Sequence, residues 1–326
     1  MVHHMKHART AAMHLLLAVG SLVSIALPAS AQSASGVKAI LVTGASSGIG
    51  RKITERLASN GYFVYAGARS QKDLDELGRI ANVQAVRLDV TMPGDIFAAV
   101  ATVTKAGRGL HGIVNNAGVV GVAPMVEITD KELDYVFDVN LFGPIRITRA
   151  FAPLLLESKG RVVNMSSLNG TVANAMIGAY SMTKHGIEAY SDALSQELGR
   201  FGVRVSIIAP GNYGTEIGKN MLARMDTSVV AGSRFEAQAR ATIRSMASFE
   251  NNPPPDDVAD AVLDAMSNAA PKMRYLVVPA ANQAAVVFRK LFDEVAQLND
   301  GHKFSYDRDA LVKMLDDALA RAKAPR

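Results

Sequence analysis

Short apolar runs recur along this chain, separated by stretches in which apolar side chains return every three or four residues. The runs fall at 39–43, 63–66, 84–88, 112–115, 161–165, 204–209 and 274–278. They are rich in Val, Ile and Leu and are bounded by Gly, Asn, Ser or Pro, which reads as buried strands. The intervals near 49–59, 73–80, 94–106, 130–156, 179–200 and 256–268 carry helical periodicity. Strands alternating with helices predict an α/β fold: a doubly wound, Rossmann-type parallel sheet of about seven strands between two helical layers. Right-handed crossovers then place ligands at the carboxyl ends of the strands. Asn115, Ser167 and Pro210 fall at such ends.

The rhythm breaks in two places. Residues 212–250 lack it and supply Ile217, Met221, Leu222, Met225, Val229 and Val230, as a lid over a substrate would. Pro253, Pro254 and Pro255 close this stretch and lead into a helix starting at Asp256, a region suited to N-capping. Residues 281–326 form a helical extension, in which 307–322 reads as an amphipathic helix (Leu311, Met314, Leu315, Leu319). The catalytic domain is expected over 37–280.

The amino-terminal segment differs again. The first acidic residue is Glu55, and residues 1–10 carry Lys6, Arg9 and three histidines. A mostly apolar run over 11–27 leads to Pro28 and then to Ala29-Ser30-Ala31. This order matches a secretory signal, 1–31, and predicts a periplasmic or secreted protein. The competing expectations are a cytoplasmic chain that begins at Met13 or later, or one anchored in the inner membrane. Composition adds little to this. Of 326 residues, 49% are hydrophobic, and Cys and Trp are absent, so no disulfide forms. The net charge of +5 is scattered, without the basic cluster that nucleic-acid binding needs.

Candidate chemistry concentrates in two segments. Tyr180 and Lys184 are four residues apart in a helical stretch and therefore share a face. A nearby cation favours the phenolate and prepares a tyrosine for acid–base work. Ser167, thirteen residues before Tyr180, offers a hydroxyl to an oxygen that gains charge. The second segment is Thr43-Gly44-Ala45-Ser46-Ser47-Gly48-Ile49-Gly50, directly after the first strand and before a helix. Gly44 permits the sharp turn, while Gly48 and Gly50 let the backbone approach a pyrophosphate. The amides of the helix start face the phosphates.

Together with Asp89, Asn115-Asn116-Ala117-Gly118, Asn140 and Pro210-Gly211 followed by Thr215, these segments resemble the short-chain dehydrogenase/reductase family, in its single-domain branch. The resemblance covers 37 to about 280. It implies a catalytic set of Asn140, Ser167, Tyr180 and Lys184. It further implies that Lys184 holds the nicotinamide ribose. Asn140 would kink its helix and hold a water that links Lys184 to solvent. Cofactor contacts are implied for Thr43, Gly44, Ser46, Ser47, Gly48, Ile49, Gly50, Asp89, Val90, Asn116, Ala117, Gly118, Pro210, Gly211 and Thr215, with Asp89 on the adenine amine. Asn115 and Gly118 would line the adenosine ribose and support the central strand. Ser166 competes with Ser167 but sits one residue off the family spacing. Tyr213 stands where the family often has a small aliphatic residue.

Ala68 occupies the place where an acidic side chain would select NAD(H), and Arg69 follows it. A guanidinium without a competing carboxylate suits a 2′-phosphate, so the expected cofactor is NADP(H) rather than NAD(H). No metal is expected. The expected reaction interconverts a small hydrophobic secondary alcohol and its ketone or aldehyde in a homo-oligomeric dimer or tetramer. The alternatives are a 3-oxoacyl-type reductase with an acyl-carrier partner and a non-catalytic NADP-binding sensor or scaffold.

Overall fold

A computed structural model describes residues 36–225 and 230–323. The export signal expected over 1–31, and Val229 of the lid, lie outside the described residues. The seven apolar runs form seven strands: β1 (Ala39–Val42), β2 (Phe63–Ala68), β3 (Val83–Arg87), β4 (Gly112–Asn115), β5 (Arg161–Met165), β6 (Arg204–Pro210) and β7 (Arg274–Val277). Every pairing is parallel, in the order β3-β2-β1-β4-β5-β6-β7. The order reverses between β1 and β4, and a crevice opens beyond the ends of those strands.

Alternation along each strand sends side chains to two cores. In β1, Ile40 and Val42 face one core, and Ala39 and Leu41 face the other. The first core is closed by Ile53 and Leu57 of α1 (Gly48–Ser59) and by Val258, Val262 and Met266 of α9 (Asp256–Ser267). The second core is closed by Ile96, Ala99 and Val103 of α3 (Pro93–Lys105), by Ile147, Phe151 and Leu155 of α5 (Gly143–Ser158), and by Leu194 of α6 (Gly178–Gly199). These layers are the doubly wound fold expected from the sequence. A short α2 (Gln71–Leu77), capped by the Ser70 hydroxyl, joins β2 to β3.

Three local features depart from the sequence pattern. The helix expected over 130–156 is broken into α4 (Asp130–Phe137) and α5 by a π turn at Asp138–Phe142. Pro144 lies four residues after Asn140 and has no N–H to give its carbonyl, so a regular helix fails there. The stretch over 212–250 contains two helices, α7 (Ile217–Arg224) and α8 (Glu236–Ala247). The carboxyl-terminal extension, expected to be helical, carries α10 (Ala281–Asn299) before α11 (Arg308–Lys323). No side-chain cap bond forms at the start of α9, where the capping position is Pro255; Asp256 and Asp257 instead put negative charge in its first turn.

Candidate active site

The crevice is a cleft of about 740 Å³ that runs from the glycine loop to α7. Backbone geometry dictates its first wall. Gly44 and Gly48 have φ of 64° and 53°, the left-handed region open to glycine. At Gly50 a Cβ would stand 2.1 Å from the Gly44 carbonyl oxygen and 2.4 Å from Asn116 Nδ2. No side chain fits there, and the loop stays flat against the end of β4. Thr43 and Asn116 lock it. Thr43 Oγ1 accepts from the N–H groups of Asn116 (3.0 Å) and Ala117 (3.1 Å), and Asn116 Nδ2 donates to the carbonyls of Thr43 and Gly44 at 3.0 Å each. Gly44, Ser46, Ser47, Gly48, Ile49 and Gly50 line the cleft, so the amides that open α1 border a concavity shaped for a pyrophosphate.

Further along this wall, Arg69, Asp89 and Val90 line the cleft with Asn116, Ala117 and Gly118. Arg69 is largely exposed, with its Nη1 3.9 Å from Asp89 Oδ2. Asp89 also caps its own turn, its Oδ1 accepting from Thr91 N (2.9 Å) and Thr91 Oγ1 (2.7 Å). Asn115 does not line the cleft; of the two roles implied for it, support of the central strand is the one its contacts provide. It is buried, and its Nδ2 donates to Thr148 Oγ1 and to Asn164 Oδ1, tying β4 to α5 and β5.

The opposite wall is the start of α6 behind the end of β5. Lys184 is 5% exposed, and its Nζ donates to the Met165 carbonyl at 2.8 Å. Burial pulls its pKa down to about 8; the charge of Glu188, one turn along α6, opposes that shift. Tyr180 is partly open to the cleft, and Lys184 Nζ stands 5.5 Å from its ring centre. Burial holds the Tyr180 phenol above its ordinary value, and the hydrogen bond from Ser167 acts in the opposite direction. The sequence led us to expect a tyrosine lowered by its lysine. In this structure dehydration is the larger effect on both groups.

Ser167 caps a short 3₁₀ turn, Leu168–Gly170, by accepting from Asn169 N at 3.1 Å, and this fixes its hydroxyl beside Tyr180. Of the two serines it is the neighbour Ser166, not Ser167, that lines the cleft, but the buried Ser166 hydroxyl has no hydrogen-bond partner. Asn140, 1% exposed, sits in the π turn. Its Oδ1 accepts from Val119 N and its Nδ2 donates to Val119 O, both at 2.8 Å, and it also reaches Thr183 Oγ1 on α6 at 3.2 Å. Asn140 thus joins the loop after β4 to α6. A Cβ on Gly118 would lie 3.5 Å from Asn140 Oδ1 and 3.9 Å from Lys184 Nζ, which places all three residues together.

Pro210 and Thr215 line the cleft, and Thr215 packs on Gly48. Gly211 faces elsewhere. Its N–H continues the ladder to Val277 O at 2.7 Å, and a Cβ there would strike Gln283 of α10. Tyr213 also turns away. It is 2% exposed among Val258 and Val262 of α9, and its hydroxyl lies 3.3 Å from Asp257 Oδ2. Burial, reinforced by the Asp257 charge, pushes its pKa up to about 12. An aromatic residue at this position leaves the cleft unobstructed.

Sequence reading missed the clasp at the far end. Arg224 of α7 lines the cleft and pairs with Glu132 of α4 at 2.5 Å, donates to Val120 O at 2.8 Å, and lies 4.6 Å above the Tyr135 ring. The partners are 92 residues apart, and no spacing rule links them. Lys72, one turn from Arg69, was likewise missed as a second cation in the cleft wall.

A family model described as short chain dehydrogenase matches residues 38–226. The chain belongs to the short chain dehydrogenase family. It is 40% identical over 195 residues to mouse mitochondrial D-beta-hydroxybutyrate dehydrogenase, covering 56% of each chain. It is 39% identical over 183 residues to mouse retinol dehydrogenase 5, covering 55% of this chain and 57% of that one. It therefore spans little more than half the length of these curated relatives. The structure is similar to that of an actinorhodin polyketide ketoreductase variant with NADPH: TM-score 0.64, 27% identity, 76% of this chain and 97% of the other.

Proposed function

We propose that this chain is an NADP(H)-dependent oxidoreductase that interconverts a neutral, hydrophobic secondary alcohol and its ketone. The carrying observation is that Tyr180 and Lys184 face a glycine loop across one cleft, with Ser167 hydrogen-bonded to Tyr180. The cradle at Gly44, Gly48 and Gly50 fits a dinucleotide, because these glycines and the start of α1 line the cleft with bare backbone. Bound NADP(H) supplies or accepts the hydride at the substrate carbon. Ser167 holds the substrate oxygen, and Tyr180 gives that oxygen a proton from its hydroxyl or takes one back. Lys184, when protonated, stabilises the phenolate that remains. The hydrogen bonds of Asn140 keep Gly118 and α6 in register around this proton site.

Cofactor choice rests on Ala68 and Arg69. The strand ends in a buried alanine, with a guanidinium next to it and Lys72 nearby, a pair of cations matched to a 2′-phosphate. The neutral substrate follows from the other end of the cleft. Val120, Ile217 and Met221 line it, and they belong to an apolar cluster that includes Tyr180. The cation present there, Arg224, is already paired with Glu132, which leaves it poorly placed for a carboxylate substrate.

The test is Tyr180→Phe, assayed by NADPH absorbance over a panel of hydrophobic ketones and short 3-oxo acids. Retained NADPH binding with turnover lowered at least about a hundredfold is expected for loss of a general acid. Near-normal turnover would refute the mechanism, and faster reduction of the acids than of the neutral ketones would refute the substrate class.

A further inference from the structure

One turn beyond Lys184 on α6 stands a carboxylate that the proton transfer does not touch. Lys184, Glu188 and Asp192 follow one another at spacings of four and share a face of the helix. Glu188 does not line the cleft, and its side chain is 17% exposed. Arg274, the first residue of the edge strand β7, holds it from outside. Its Nε donates to Glu188 Oε2 at 3.0 Å, and its Nη2 donates to Asp192 Oδ2 at 2.6 Å. The other oxygen of Glu188 points inward. A Cβ on Gly170 would stand 2.9 Å from Glu188 Oε1 and 2.4 Å from Ser166 Oγ, so a bare glycine makes room for both at the end of β5. One carboxylate oxygen is thus spent on a surface cation, and the other is turned toward the strand end where Lys184 bonds the Met165 carbonyl.

The neighbours of Lys184 leave it short of negative charge. Its hydrogen bond goes to a neutral carbonyl, and the groups closest to it from the π turn and from the loop after β4 are Asn140 and Gly118. Charged groups on the other elements packed against α6 are engaged elsewhere. Asp138 of the π turn pairs with Arg146, and Glu132 of α4 pairs with Arg224. Arg204 of β6 is exposed at the end of the strand away from the cleft. On α6 itself, the His185 ring turns back to the Ser181 carbonyl at 2.9 Å. Dehydration lowers the pKa of Lys184 to about 8, and the charge of Glu188 works against that fall.

We propose that Glu188 is a positioning residue for the reaction: held by Arg274, its carboxylate keeps the Lys184 ammonium charged through turnover. The proposal rests on the reading of Tyr180 and Lys184 as the proton site. Arg274 has two effects on that ammonium. It fixes the carboxylate, and its own charge cancels part of the field that the carboxylate sends inward.

Two variants of the full chain separate this from a structural clip between α6 and β7. Glu188→Gln keeps the shape and removes the anion, whereas Arg274→Gln removes the cation and leaves the anion. The first readout is kcat for ketone reduction with NADPH from about pH 6 to about pH 10. The second is the pH titration of the Lys184 ε-carbon by carbon-13 NMR, assigned by its disappearance in Lys184→Met. Glu188→Gln should move the lysine titration and the alkaline limb of kcat together to lower pH, by about half a unit or more. Arg274→Gln should move both to higher pH. A clip that only joins the two elements is broken by either variant and moves the two profiles the same way or not at all. An unmoved lysine titration in Glu188→Gln, or shifts of the same sign in both variants, would overturn the proposal. The NMR titration needs no substrate. If it moves as expected and kcat does not follow, the part given to Lys184 in turnover fails, and the proposal falls with it.

Discussion

Lys184 is the group whose burial makes the sharpest prediction. Its pKa falls from 10.5 to about 8, chiefly through dehydration and against the pull of Glu188. Between those values the unfolded chain holds a proton that the folded chain has released, so stability rises with pH. The penalty is fully present below about pH 8 and gone above the unfolded value. At 1.36 kcal/mol per unit, it amounts to about 3 kcal/mol at neutral pH and falls to about 1 kcal/mol near pH ~9.5. Lys184→Met keeps the length of the side chain and removes the charge. Its loss of the Met165 hydrogen bond shifts stability by an amount that does not depend on pH. Urea unfolding followed by circular dichroism at the two pH values isolates the charge. The wild type should gain about 2 kcal/mol relative to the variant on going from neutral to alkaline pH. The raised tyrosines Tyr180 and Tyr213 change stability in the other direction at still higher pH, but Tyr213 does so equally in both proteins. A wild-type-minus-variant difference that is flat with pH, or that moves the other way, would refute the view that this ammonium is held against dehydration.

Other predictions follow from the same geometry. Arg69→Ala should weaken NADPH binding by about 10- to 100-fold, the worth of a charge-assisted hydrogen bond, and leave NADH binding unchanged, as read by calorimetry. Gly50→Ala should abolish binding of either dinucleotide and lower the melting temperature, because the new methyl collides with the Gly44 carbonyl. Ser167→Ala should lower kcat by at least about a hundredfold, with Ser166→Ala close to wild type, since Ser167 is the serine bonded to Tyr180. For localisation, we propose cleavage after Ala31, and mass spectrometry of protein recovered from its native host should show a mature chain that begins at Gln32.

The sheet was legible because its signal is local. Seven runs of Val, Ile and Leu at regular intervals specify seven buried strands, and glycines after the first of them specify the turn. Tyr180, Lys184 and Ser167 were legible because helical spacing and one strand end bring them together. What escaped was long-range or depended on burial. Nothing in the sequence joins Arg224 to Glu132, since that pair exists only after α7 folds back across the cleft. The inward turn of Asn115 was hidden for a different reason: its partners Thr148 and Asn164 belong to other elements. The pKa of Tyr180 was misjudged because spacing reports a neighbouring charge but not how much water is excluded. The break in the helix at Asn140 was written in Pro144, whose missing N–H falls on Asn140.

That π turn has a consequence for how this fold tolerates change. It holds one residue more than a regular helix, so the site was made by a change of length. Removing a single residue from 138–142 would let the helix close into regular form. The side chain of Asn140 would then swing by about 100° around the axis. The N–H and carbonyl of Val119 would lose their partner, although no active-site residue had been replaced. A scan of substitutions would rank this segment by side chain and pass over its count. Deletion is the mutation to which the catalytic centre is most exposed here.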